Sequence, residues 1–203
     1  EKMEARYGKA RRIWAMDRGM VSKENLEWLR EGERHYIVGT PRSELRHWER
    51  ELLEKRGWKE VREGLEVKLC RGPDATETFI LCRSADRAEK ERAMHQRFSR
   101  RIAEGLARLS GRLQNARKKA DRSQVERQIG RLLGRNARAA ARFAVDVREA
   151  SSRASGLSVS WSENEKWSDW AALSEGAYIL RSNVVDWKPE DLWQAYIQLV
   201  EAE

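Results

Sequence analysis

Residues 12–39 read RIWAMDRGMVSKENLEWLREGERHYIVG. Ile13-Trp14-Ala15-Met16 is a short apolar run with the length and character of a buried strand. Ser22 stands at the N-cap position of a helix that carries Leu26, Trp28 and Leu29. His35 to Val38 is a second apolar run, closed by Gly39-Thr40-Pro41. Strand, helix and strand on short connections form a βαβ unit, which predicts parallel strands and an α/β sheet. Asp17 follows the first strand at its carboxyl end, where open α/β sheets bind ligands.

Outward from this unit, the pattern changes at Pro41. Leu45, Trp48, Leu52 and Leu53 predict one helical face, and the helix is expected to stop near Gly57. Two β-like stretches follow, Val61 to Cys70 and Thr76 to Cys82. Leu65, Val67 and Leu69 alternate in the first, and Gly72-Pro73-Asp74 supplies the turn of a hairpin. From Ala85 to Gln114, Met94, Phe98, Ile102, Leu106, Leu109 and Leu113 recur at helical spacing. Lys118 to Asp121 break that pattern. Ser123 and Glu126 then have capping-box spacing ahead of Val125, Ile129, Leu132 and Leu133. The two segments predict an antiparallel helical hairpin with basic outer faces. Phe143 to Val147 and Leu157 to Trp161 read as strands around a Ser/Gly-rich turn.

The last third returns to the α/β style. Tyr178 to Asn183 is a strand with a polar end, and Pro189 suits the first turn of a helix. Leu192, Trp193, Tyr196, Ile197 and Val200 form its apolar face. Glu203 lies seven residues after Tyr196, about two turns, on that same face. A carboxylate there needs a reason, because burying it unpaired is costly.

The chain has 203 residues, enough for a sizeable core, with 40% hydrophobic and 36% charged residues. No apolar run approaches the roughly 20 residues of a membrane helix. No signal peptide is legible and the first residue is Glu, which fits an incomplete reading frame. Cys70 and Cys82 lack metal-ligand spacing and read as small core residues in a reducing cytoplasm. The net charge is +8. Residues 83–153 hold 20 Lys and Arg against 8 Asp and Glu, and the remainder holds 21 against 25. A basic segment in a near-neutral body points to phosphate contact, with a solvated helix face as the plainer alternative.

The run from Arg12 to Val21 resembles the strand bearing the second catalytic aspartate of the DDE transposases of bacterial insertion sequences. Tyr178 to Asn183 resembles the strand before their catalytic helix. In that helix the family spaces Tyr, two residues, Arg, three residues, Glu, six residues, Lys. Tyr196 and Glu203 match the spacing, and Leu199 stands at the Arg position. The resemblance implies a partial RNase H-like core with a mixed β-hairpin and helical-hairpin insertion. It implies core segments at 1–41 and 171–203 and an insertion at 42–170. Asp17 and Glu203 are then catalytic metal ligands for two Mg²⁺ (or Mn²⁺) ions. Two-metal phosphodiester chemistry needs only such oxygen donors, one ion activating the attacking oxygen and one the leaving oxygen. The first aspartate of the family has no counterpart before Asp17, so the chain is expected to hold an incomplete catalytic domain, inactive alone.

DNA, both transposon ends and target, is the expected partner. The expected contacts are Arg18, Arg100, Arg101, Arg108, Arg112, Lys118, Lys119 and Tyr196. A homo-oligomer in the full synaptic complex and a bacterial cytoplasm, without membrane, complete the expectation. Trp161, Trp167 and Trp170 cluster after the insertion and read as packing residues or as a platform for an unpaired base. Two other readings stand beside this one. One is a non-catalytic DNA-binding or oligomerisation module that inhibits the full-length protein. The other is a different RNase H-like nuclease.

Overall fold

The computed structural model describes residues 13–17, 19, 22–72 and 76–201. The chain divides into two compact units, Glu1–Ala88 with Gly176–Glu203, and Glu89–Glu175. The class is mixed α/β. In the first unit β1 (Ile13–Met16), β2 (His35–Gly39), β3 (Lys59–Arg62), β4 (Leu65–Arg71), β5 (Thr78–Ser84) and β8 (Ala177–Ser182) form one sheet in the order β1-β2-β8-β5-β4-β3. β1 and β2 are parallel, with Met16 opposite Val38, and α1 (Lys23–Glu31) joins them. The Ser22 side chain accepts from the Asn25 amide and caps α1. At its far end the amides of Glu33 and Arg34 bond Arg30 and Leu29 carbonyls, with Glu33 at φ 52°. That is a Schellman stop with a glutamate at the left-handed position.

Every other pairing in this sheet is antiparallel. The parallel expectation therefore applies to one pair. The strands at 59–84 join this same sheet, because β8 offers an antiparallel edge to both β2 and β5. The second unit accordingly begins at Glu89, well after the expected insertion start at 42. The stretch expected as one strand from Val61 to Cys70 is broken at Glu63-Gly64, where Gly64 turns the chain at φ +69°.

Alternation along the strands sends side chains to two faces. One face carries Ile37, Leu65, Val67, Ile80, Cys82 and Leu180 under Leu192 and Trp193 of α7 (Pro189–Glu201). On the other, Leu26 and Leu29 of α1 cover Tyr36 and Val38. A 3₁₀ helix, Arg42–Trp48, and α2 (Glu49–Leu53) bring fully buried Leu45 and Leu52, and Trp48 tilts against Phe79 at 5.0 Å. The change from 3₁₀ to α winding breaks the expected common face, and Leu53 is 64% exposed. The alternation read in β4 also ends early. Leu69 is exposed, while Lys68 is buried with its Nζ 3.0 Å from the Glu51 carbonyl and 2.7 Å from Glu54.

The first turn of α3 (Ala85–Gln114) is capped by Ser84 Oγ at 3.3 Å from the Arg87 amide, and the second unit takes that helix from Glu89 onward. It also contains α4 (Arg122–Arg135), the short α5 (Ala137–Ala140), β6 (Phe143–Glu149), β7 (Leu157–Glu163) and α6 (Glu165–Ser174). Ile102, Leu106, Leu109 and Leu113 meet Val125 and Ile129, and Phe143, Val147, Leu157 and Val159 close the core. The cap of α4 is Asp121, not the expected Ser123: its carboxylate accepts from the Ser123 amide at 3.0 Å. Glu126 instead meets Arg122 at 2.8 Å. Among the described residues no helix is long and apolar enough to cross a membrane.

Candidate functional site

Asp17 is exposed and follows the last residue of β1. Its setting depends on the course of α7. The start of that helix is held over the far edge of the sheet, where Glu190 meets Lys59 of β3 at 3.0 Å. One turn later Trp193 Nε1 donates to the Tyr178 hydroxyl of β8 at 2.8 Å, and the Arg62 guanidinium lies 5.6 Å from the Trp193 ring. Tyr196 and Ile197 then pack into the cluster that includes Ile13 and Ala15 of β1. The helix thus starts over β3 and also lies against β1, the strand that Asp17 follows. Tyr196 is half-buried on this inward face. Arg18 and Glu203 lie outside the described residues.

Mg²⁺ takes oxygen ligands, and Asp17 offers one carboxylate at this place. Among the described residues no group of three or more His, Cys, Asp and Glu side chains comes together. Of the expected pair, the described part of the chain contains Asp17 alone.

The best-connected polar cluster of this unit was not legible in the sequence. Glu77, 5% exposed, receives the Tyr36 hydroxyl, Arg30 Nη2 at 2.7 Å, and Arg181 through Nε at 2.8 Å and Nη2 at 2.5 Å. Burial by itself pushes its carboxyl upward, but the donors from Arg181, Tyr36 and Arg30 prevail and hold it below the usual carboxylate range. Tyr36 is pushed up to about 12, first by burial and then by its bond to Glu77. Nearby, Asn183 accepts from the Tyr36 amide and donates to the Arg34 carbonyl, both at 2.9 Å. Ser182 Oγ donates to the Tyr36 carbonyl at 2.6 Å. The Ser182-Asn183 pair thus fastens β8 to the start of β2, at the opposite strand end from Asp17. A threonine-flanked glutamate just before a strand carries no local mark of burial, because its partners come from α1, β2 and β8.

In the second unit Arg100, Arg101, Arg108 and Arg112 are exposed on α3, and Lys118 and Lys119 are exposed in the connection to α4. Arg108 lies 3.9 Å from Glu104, and Arg112 Nη2 donates to Gln128 at 2.9 Å. Arg97 and Arg101 stand over the Phe98 ring at 5.3 Å and 6.0 Å. Gly105, Arg108, Leu109, Arg112, Gln128 and Leu132 line a cleft between the helices of about 530 Å³. Of the three tryptophans read together, Trp161 packs on the core of this unit. Trp167 sits edge-on to His95 at 5.4 Å, in α6, a helix that the sequence reading did not place. No family model matches the chain, and neither curated proteins nor solved structures give a match.

Proposed function

We propose that this chain carries part of a DDE-type, RNase H-like catalytic core for DNA cleavage and strand transfer, as in DNA transposition. The observation that carries the reading is the course of α7, which starts over β3 and also lies against β1, the strand that precedes Asp17. By its spacing from Tyr196 in the sequence, Glu203 is the proposed partner of Asp17, and the pair would hold Mg²⁺ or Mn²⁺. When bound, the ions supply an activated oxygen nucleophile and stabilise the leaving oxygen. The protein's own part is to present Asp17 from a short strand and to hold α7 by Trp193 and Tyr196. The basic helical hairpin supports a DNA substrate, and assembly as a homo-oligomer on paired DNA ends belongs to the same proposal.

The test is Mn²⁺ titration followed by amide NMR. Paramagnetic broadening is expected around Asp17 and at the end of α7 together, and Asp17→Asn removes both. Broadening at one place without the other, or unchanged broadening in Asp17→Asn, overturns the reading. A second reading, a non-catalytic DNA-binding module, is favoured by the concentration of charge in the second unit. It expects DNA binding with no metal effect at Asp17.

A further inference from the structure

The whole net charge of the protein resides in one unit. Residues 89–175 contain 19 Lys and Arg against 11 Asp and Glu, and the rest of the chain contains 22 of each. Within that unit, helical phase sorts the arginines. At 3.6 residues per turn Arg97, Arg101, Arg108 and Arg112 fall within about 60° of one another on α3. The buried residues Ile102, Leu106, Leu109 and Leu113 centre roughly 120° away. The four arginines therefore form a stripe along the helix of about 22 Å at 1.5 Å per residue. Arg100 lies off that stripe.

The stripe borders the cleft between α3 and α4 through Arg108 and Arg112. On the opposite rim Gln128 lines the cleft, and Arg131 and Arg135 fall within about 60° of Gln128 on α4. Gly105 brings the rims together. A Cβ there would lie 2.6 Å and 2.7 Å from the two Leu132 methyls, so a larger residue would force the helices or Leu132 aside. One acid, Glu104, shares the stripe, and its exposed contact with Arg108 at 3.9 Å is weak.

We propose that this cleft is a track for one sugar-phosphate strand of double-stranded DNA, engaged through phosphates and without sequence readout. The inference rests on the DNA reading above and specifies the form of DNA and the face that takes it. Guanidiniums on both rims fit a polyanion with evenly repeated charge. Single-strand sites add aromatic platforms for bases. The cleft is lined by no aromatic residue, and the neighbouring Phe98 ring lies beneath Arg97 and Arg101.

Fluorescence anisotropy on the 203-residue chain tests this with three probes: a 20-base-pair duplex of arbitrary sequence, one of its strands, and poly-glutamate. Duplex binding is expected to be tightest and to fall linearly in log–log form with salt. Arg108→Gln/Arg112→Gln is expected to weaken it at least tenfold and to reduce the salt slope by about 1.8, since each phosphate contact contributes about 0.9. Arg127→Gln/Arg148→Gln removes the same charge elsewhere and is expected to change affinity less than threefold. Equal losses in the two double variants, or a single strand or poly-glutamate bound as tightly as duplex, overturn the proposal. No duplex binding by the unaltered chain also overturns it. The Mn²⁺ readout at Asp17 does not involve the cleft, so failure of one leaves the other to be judged alone.

Discussion

Glu77 illustrates how far one side chain can bind distant parts of the chain together. Its carboxylate holds donors from α1, β2 and β8 while nearly excluded from water. Removing the charge from such a site leaves two guanidiniums without their counter-ion. Glu77→Gln is expected to cost about 3 kcal/mol, in the range for breaking a buried pair. The pH dependence follows from the direction of the shift. Its folded pKa lies below the unfolded value of about 4.3, so its contribution is fully present above that pH. It is lost as pH falls through the lower folded value. Urea unfolding at pH 7, 4 and 3 should show a steeper acid loss for the natural protein than for Glu77→Gln. The same slope in both would remove Glu77 from the account. Tyr36 acts at the other end of the scale: keeping its phenol protonated contributes stability below about pH 10 that is lost as pH rises through about 12.

Among the elements, glycines separate two kinds of requirement. Gly176 lies just before β8 at φ +74°, and a Cβ there would lie 2.4 Å from the Ser84 backbone oxygen and 2.8 Å from Ala88. Its own carbonyl accepts from the Ser84 amide at 3.1 Å. Gly176→Ala must therefore adopt a strained conformation and displace backbone, and is expected to cost at least about 2 kcal/mol. Gly130 and Gly134 are exposed in α4, with open space where an added methyl would stand. Alanine at either is expected to add up to about 1 kcal/mol by helix propensity. Thermal unfolding of the three variants gives the ordering, and a stable Gly176→Ala would count against the strand entry as described. The elements themselves were largely legible, because Ser22, Pro189 and the period of α3 act locally. What escaped was set at a distance. Which sheet β4 and β5 join depends on β8, about a hundred residues later in the chain. The α4 cap passed to Asp121 because a carboxylate two residues before the Ser123 amide serves as well as a hydroxyl.

For the molecule as a whole, the decisive contrast is between a formally neutral sheet unit and a unit that carries +8. Sequence reading located the basic segment but did not show which arginines border a cleft, since that depends on how α3 packs against α4. It also named Asp17 from its place after a strand, while the course of α7 over the sheet emerged only from the packing of Trp193 and Tyr196. The charge contrast has a thermodynamic consequence. A polyanion that binds the folded basic unit stabilises that unit, by about 2.7 kcal/mol at a hundred times its dissociation constant. Amides of α3 and α4 that exchange through opening of this unit should then slow roughly a hundredfold, by the same relation. Amides of β2, β5 and β8 belong to the neutral unit and are expected to keep their rates. Hydrogen exchange with and without saturating duplex DNA measures both sets in one experiment. Protection spread evenly over both units would mean that the anion is held by the chain as a whole, and that the charge of residues 89–175 does not define a separate binding surface.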